Sequence, residues 1–260
     1  MRGVAGRFFR GAKRRLASKG QLLSRREEQF RHISEEDRRI IDRVGQHTMT
    51  SPLRVEALLK AVRYSVERGV PGAFVECGVW RGGSVLAMIL QLLSLGVTDR
   101  NIFLYDTFEG MTEPTEKDVS PFHEPALSTW QRHKASGDKA WNYFFNNELF
   151  NEESVRELLS STGYPESRLH FVRGSVEETI PANVPDRIAI LRLDTDWYES
   201  TLHELAHLYP LLEVGGVLII DDYGHWEGAR VAVDEYFARE DVSPVLLHRI
   251  DYAGRAALKV

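Results

Sequence analysis

From residue 73 onward, short apolar runs alternate with stretches whose apolar residues recur at helical spacing. The runs Ala73-Phe74-Val75-Glu76-Cys77, Asn101 to Asp106, Leu169 to Val172, Ile188 to Asp194 and Val217 to Asp222 each predict a strand. Helices are predicted from Ser84 to about Leu95, around Glu152 to Ser161, from about Ser200 to Leu212, and from Glu227 to Arg239. Strands that alternate with helices build a mainly parallel sheet with helices on both faces. Two closing runs, Pro244 to Ile250 and Arg255 to Val260, meet at Tyr252-Ala253-Gly254. They predict a hairpin that adds an antiparallel edge strand, making seven strands in an α/β fold.

Ahead of the sheet, Ile33 to Val44 reads as a charged helix opened by Ser34, Glu36 and Asp37. A polar patch, Gln46 to Ser51, leads to Pro52 and a helix through Arg68, which Gly69-Val70-Pro71-Gly72 ends. Residues 1–45 are read as an amino-terminal arm and helix, and 46–260 as one domain. Within that domain, Thr107 to Asn151 breaks the alternation and carries Pro114, Pro121, Pro125, Trp130, Trp141 and Tyr143-Phe144-Phe145. An aromatic insertion of this length after a strand's carboxyl end predicts an ordered lid over a site.

Composition changes this picture in two places. Apolar residues at 43% and charged residues at 27% are ordinary for a globular chain, and no apolar run approaches the ~20 residues of a membrane span. One cysteine, Cys77, excludes a disulfide framework and a multi-cysteine zinc site within the chain, and a reducing cytoplasm is expected. The net charge of −5 hides nine Lys or Arg and no acid in residues 1–26, which leaves 24 basic against 38 acidic residues, or −14, in the remainder. An acidic body is unsuited to nucleic acid. The basic arm, interleaved with Val4, Phe8, Phe9, Leu16, Leu22 and Leu23, is expected to be solvated, or else to touch an anionic membrane surface or another subunit.

The candidate chemistry sits at strand ends, where open parallel sheets bind ligands. Strand one gives Glu76 and the turn Gly78-Val79-Trp80-Arg81-Gly82-Gly83-Ser84; strand two gives Asp106. Strand four gives Asp194 and Asp196, and strand five Asp221 and Asp222. Adjacent acids after an apolar run repel unless a cation or protons sit between them. The glycines let backbone approach a ligand and Ser84 is placed to cap the next helix, although a purely structural turn reads the same way. Glu76 disfavours a pyrophosphate and favours an ammonium, and Asp106 is placed to accept hydrogen bonds from ribose hydroxyls. Clustered carboxylates make a hard oxygen set suited to Mg²⁺ or Mn²⁺.

Four segments in register carry a resemblance: Phe74 to Ser84, Tyr105-Asp106-Thr107-Phe108-Glu109-Gly110-Met111, Leu193-Asp194-Thr195-Asp196-Trp197-Tyr198 and Ile219-Ile220-Asp221-Asp222-Tyr223-Gly224. Together, from about Thr48 to Phe237, they resemble the macrocin O-methyltransferase family, which methylates sugar hydroxyls of macrolide and aminocoumarin antibiotics. The resemblance implies a Rossmann-like class I methyltransferase fold that binds S-adenosylmethionine. Glu76 and Gly78 would hold its methionine part, beside Ser84, and Asp106 its ribose. Phe108 and the Gly174-Ser175-Val176 turn would flank the adenine, and Thr48, Met49 and Thr50 would fold over the cofactor. It further implies Mg²⁺ on Asp194, Asp221 and Asp222, Asp196 as general base, and a homo-oligomer.

Metal coordination lowers the pKa of a sugar hydroxyl, and a carboxylate two residues along can then take the proton. If the strand pattern persists past Leu193, Asp194 and Asp196 point to the same side. The acceptor is left open between an antibiotic sugar and a cell-surface or lipid-linked glycan. His225 and Trp226 line the acceptor pocket or pack in a loop. Trp197 and Tyr198 frame the acceptor or pack under the lid. His203 and His207 are read as surface residues, Cys77 as a packed one, and Arg192 as the partner of a nearby acid. Two rival functions remain: a glycosyltransferase using Asp194-Thr195-Asp196 as a D-x-D metal motif, and a non-catalytic domain that has kept the fold.

Overall fold

The structure, a computed structural model, describes residues 30–146 and 150–260. The basic arm and its proposed contacts lie outside the described residues. The chain divides into two units at Arg39 and Ile40, a boundary that the first helix crosses, and of the first unit residues 30–39 are described. In the first, the Ser34 hydroxyl accepts from the Asp37 amide, as expected for a helix start; the helix, α1, runs Glu35–Val44.

The second unit is the α/β domain. Helix α2 (Pro52–Glu67) begins with Pro52, and the Ser51 side chain caps it by accepting from the Arg54 amide. Strands β1 (Ala73–Cys77), β2 (Ile102–Asp106), β3 (Leu169–Arg173), β4 (Ile188–Leu193) and β5 (Leu212–Ile220) pair in parallel. With β6 (His248–Arg249) and β7 (Arg255–Leu258) they form one seven-stranded sheet in the order β3-β2-β1-β4-β5-β7-β6. The order reverses between β1 and β4, which is where a doubly wound sheet opens a ligand crevice.

Alternating side chains separate two apolar layers. Phe74, Ile102, Leu104, Ile190 and Ile219 pack with Leu58, Leu59 and Val62 of α2 and with Leu86, Ile89 and Leu92 of α3 (Gly83–Ser94). Val75, Tyr105, Leu191, Leu218 and Ile220 pack with Leu205 and Leu208 of α4 (Tyr198–Leu208) and Val233 and Tyr236 of α5 (Glu227–Phe237).

Three local expectations are corrected. Helix α4 stops at Leu208 and a short 3-10 turn, Tyr209–Leu211, replaces its last turn, because Pro210 brings no amide hydrogen to a helical ladder. Strand β5 then starts at Leu212, ahead of the expected Val217, with Gly215 in the left-handed region. In the hairpin, the antiparallel strand is β7, seated between β5 and a two-residue β6 that forms the edge.

The lid is fastened across the sheet's carboxyl edge. Asp118, fully buried, accepts from the Thr115 amide at 2.6 Å and from the Tyr198 amide at the start of α4 at 2.8 Å. The Trp197 indole donates to Thr112 O at 3.1 Å, and the Glu227 amide to Val119 O at 2.8 Å. Rings of Trp130, Trp141, Trp197 and Trp226 follow one another at centroid distances of 5.0 to 6.4 Å.

The turn after β1 depends on Gly78, whose φ is +83°. A Cβ there would collide with the backbone carbonyl of Asp194. Gly78→Ala should therefore destabilise the domain by about 2 kcal/mol, a fall in Tm of about 4–8 °C, checked by thermal unfolding with S-adenosylhomocysteine absent.

Candidate active site

A cavity of about 840 Å³ opens at the carboxyl ends of β1, β2, β4 and β5 under the lid, toward the upper end of the ~300–1,000 Å³ typical of ligand sites. Its lining includes Thr48, Met49, Thr50, Glu76, Gly78, Ser84, Asp106, Gly174, Ser175, Asp194, Asp196, Asp221 and Asp222. Phe108 is the expected cofactor residue that is not there. With φ +53° its side chain turns into the core, 6.0 Å from the Phe171 ring centroid and only 3% exposed. Ser84 is also placed differently from the expectation: Gly82, at φ +79°, occupies the cap position of α3 without a side-chain bond, and Ser84 is the second helical residue.

Asp106 ties the second strand to the glycine turn. One carboxylate oxygen accepts from the Val79 and Trp80 amides at 2.7 and 2.9 Å, and the other from the Phe108 amide at 2.6 Å. A carboxylate has about four acceptor positions, so one remains for a ligand hydroxyl. Opposite, the Gly83 amide donates to His47 O at 2.9 Å, which draws residues 47–50 along the turn. Gly174 has φ +136°, and Ser175 caps the single turn Val176–Thr179 by accepting from the Glu178 amide.

The acids meet two buried guanidiniums. Arg192 lies in register with Glu76 on β1 and Ile219 on β5, and its side chain is 1% exposed. It donates to Glu76 at 2.5 Å, Asp194 at 2.7 Å, Asp221 at 2.6 Å and Thr50 Oγ1 at 2.8 Å. Arg54 of α2 pairs with the other Asp221 oxygen and, at 3.1 Å, with Asp251. Arg192 is the charged residue expected to pair with an acid. Arg54 and Asp251 were not foreseen, since nothing local in α2 or the closing turn marks them and they meet across nearly 200 residues of sequence.

Asp194, Asp221 and Asp222 each bring a carboxylate oxygen within 4.8 Å of the others. The Asp196 carboxyl lies beside the Trp226 side chain and the Asp222 carboxyl. Asp196 reaches this position through a left-handed residue at φ +68°, because β4 ends at Leu193; the expected extended alternation does not continue. Burial raises the Asp222 carboxyl well above its ordinary range, and repulsion from Asp196, Asp194 and Asp221 adds to this. Asp196 is raised chiefly by burial and then by the Asp194 charge. Burial pushes Glu76 up to about 8; Arg192 pulls it down, but that one guanidinium is shared among three carboxylates. The second oxygen of Glu76 is buried without a hydrogen-bond partner.

At the mouth, Phe122 stacks on His225 at 5.3 Å and meets Tyr252 edge-on at 5.7 Å, while His123 stacks on Trp226 at 5.7 Å. His225 shares a hydrogen bond with Tyr252 Oη at 3.0 Å. His225 and Trp226 thus line the cavity and pack against neighbours at once. His203 and His207 lie outside the lining, His203 against Ile180 O at 3.0 Å. Cys77 is buried, and burial pushes its thiol up, as suits a packed residue.

Residues 10–257 match the macrocin-O-methyltransferase (TylF) family. The chain is 33% identical over 201 residues to the demethyldecarbamoylnovobiocin O-methyltransferase of Streptomyces niveus, covering 77% of this chain and 71% of that one. It is 36% identical to the 8-demethyl-8-(2,3-dimethoxy-alpha-L-rhamnosyl)-tetracenomycin-C 4'-O-methyltransferase of Streptomyces olivaceus, covering 76% and 70%. Its fold is similar to that of the O-methyltransferase NovP, with a TM-score of 0.69, 31% identity and 82% of each chain covered.

Glu76 binds its proton more tightly in the folded chain than in the unfolded one, where 4.5 is its ordinary value. Its contribution to stability is therefore complete below about 4.5 and is lost as pH rises through about 8. In chelating buffer, Tm should fall between about pH 5 and pH 8, and the slope should flatten in Glu76→Gln. Equal slopes in the two proteins would contradict this.

Proposed function

Since the chain belongs to the macrocin-O-methyltransferase family, we propose that this O-methyltransferase moves a methyl group from S-adenosylmethionine to a sugar hydroxyl with the aid of a divalent cation. The observation that carries this reading is one cavity that joins Glu76, Asp106 and the glycine turn to the acid cluster at the ends of β4 and β5. The unpartnered Glu76 oxygen suits the ammonium of the methionine part, and the spare acceptor position of Asp106 suits a ribose hydroxyl. Residues 47–50 and the Gly174-Ser175 turn close this end.

The cation reading rests on charge. Six carboxyls, Glu76, Asp194, Asp196, Asp221, Asp222 and Asp251, face two guanidiniums among the described residues, Arg54 and Arg192. Hard oxygen donors with a negative excess fit Mg²⁺ or Mn²⁺, held by Asp194, Asp221 and Asp222. Asp221 would share its oxygens with the two arginines, whereas Asp222 brings no arginine hydrogen bond and is the freer donor. A bound cation would lower the pKa of the acceptor hydroxyl.

Asp196 would be placed to accept the hydroxyl proton, and bound S-adenosylmethionine would supply an electrophilic methyl on a sulfonium whose sulfur takes back the bonding electron pair. The raised Asp196 carboxyl is suited to a base working near neutral pH. The aromatic faces of Phe122, His225 and Tyr252 at the mouth suit the C–H faces of a sugar ring. A rhamnosyl group appears in the name of one relative, and the same class of acceptor is proposed for this chain. The glycosyltransferase reading of Asp194-Thr195-Asp196 gives way to the family assignment.

With a rhamnosylated acceptor, Asp196→Asn should lower kcat by about 10²–10⁴-fold and leave S-adenosylhomocysteine affinity within about twofold of wild type by calorimetry. Unchanged turnover would remove Asp196 from proton transfer. Stabilisation of the wild type by a nucleotide sugar, and none by S-adenosylhomocysteine, would overturn the reaction class.

A further inference from the structure

One buried acid takes no part in the chemistry above. Glu204 lies on α4 and has no exposed surface. Its Oε2 accepts from the Thr195 hydroxyl at 3.2 Å, and the Cys77 thiol lies against the same carboxyl. Its Oε1 meets no hydrogen-bond partner. A carboxyl buried at this cost, behind an active site and half-satisfied, calls for a reason beyond packing. Burial, with the nearby charge of Glu177, holds it well above the ordinary carboxylate range.

Its two contacts join the two loops on which the site depends. Cys77 ends β1, directly before the Gly78 turn, and its carbonyl accepts from the Asp194 amide at 2.9 Å. Thr195 stands between Asp194 and Asp196, and its carbonyl accepts from the Trp197 amide at 2.8 Å in a tight turn. Asp196 in that turn is held at φ +68°, a conformation that a residue with a Cβ keeps only when its surroundings impose it. At the other end of α4, the Tyr198 amide is fixed by Asp118 of the lid.

We propose that Glu204 is a positioning residue: by holding the Thr195 hydroxyl from behind the sheet, it fixes the strained turn that presents Asp194 and Asp196 to the cavity. This rests on the assignment of Asp196 to proton transfer. Glu204 itself lies outside the cavity lining.

The test compares Glu204→Leu, Glu204→Gln, Thr195→Val and the Glu204→Leu/Thr195→Val double variant. Methyl transfer to the rhamnosylated acceptor and affinity for S-adenosylhomocysteine are both measured. Glu204→Leu and Thr195→Val should each lower kcat at least about tenfold with KM for S-adenosylmethionine unchanged, and the double variant should be no slower than the worse single one. Glu204→Gln, neutral and of the same shape, should restore kcat to within about threefold of wild type. Additive losses, a Gln variant as slow as the Leu variant, or a folded Glu204→Leu with full kcat would each overturn the proposal. Should Glu204→Leu fail to fold, Thr195→Val decides: a fall in kcat alone supports the role, and a wild-type rate ends it. If Asp196→Asn is dead while Glu204→Leu is fully active, the positioning role falls and the reaction stands. If Asp196→Asn is fully active, the proton-transfer assignment falls, and this proposal with it.

Discussion

The Arg192 guanidinium stands at the point where the strand order reverses, and the site is arranged around it. It sits between β1 and β5, carries no solvent contact of consequence, and reaches Glu76, Asp194, Asp221 and Thr50 at once. Its planar fork satisfies acids from three different strand ends in a way that a lysine's single ammonium does not. Desolvating a guanidinium is costly unless its donors find partners, and here Nη1 and Nη2 each make two hydrogen bonds. The same bonds draw the Glu76 end of the cavity toward the acid cluster.

What Arg192 does not do is balance the charge. With Arg54 it offers two positive groups to six carboxyls, Asp251 included, so protons or a cation must supply the rest. A proton is one solution: burial and mutual repulsion raise the Asp222 and Asp196 carboxyls and so favour it. The proposed cation is the other solution, and it leaves Asp196 free to accept a proton from the acceptor. The lid is fastened over this crowded edge through Asp118 and the run of tryptophans behind it.

Much of this was legible in the sequence because strand periodicity and strand-end acids are local signals. Ala73 to Cys77 is the first strand as read, and Glu76, Asp194, Asp221 and Asp222 converge because a parallel sheet places all its carboxyl ends on one edge. The family and its fold followed from four motifs in register. Contacts set by tertiary geometry were not legible. Arg54 meets Asp221 across 167 residues of chain, and no pattern in α2 announces it. Phe108 and Asp196 depart from extended backbone through positive φ angles, which sends Phe108 into the core and brings Asp196 to Asp222. Neither residue is a glycine, and an aspartate's tolerance of the left-handed region is too weak a signal to predict such an angle. Glu204 looks like any helical glutamate until the sheet is placed against it.

The claim on which the account turns is that the negative excess at the ends of β4 and β5 forms a divalent-cation site. Titration of the chelator-treated protein with Mn²⁺, followed by electron paramagnetic resonance, tests this without any need for an acceptor. One Mn²⁺ should bind per chain, and Asp222→Asn should weaken it at least about tenfold, since loss of one charged ligand costs more than 1.4 kcal/mol. No binding to the wild type at millimolar Mn²⁺, or binding that Asp222→Asn leaves unchanged, would contradict the account.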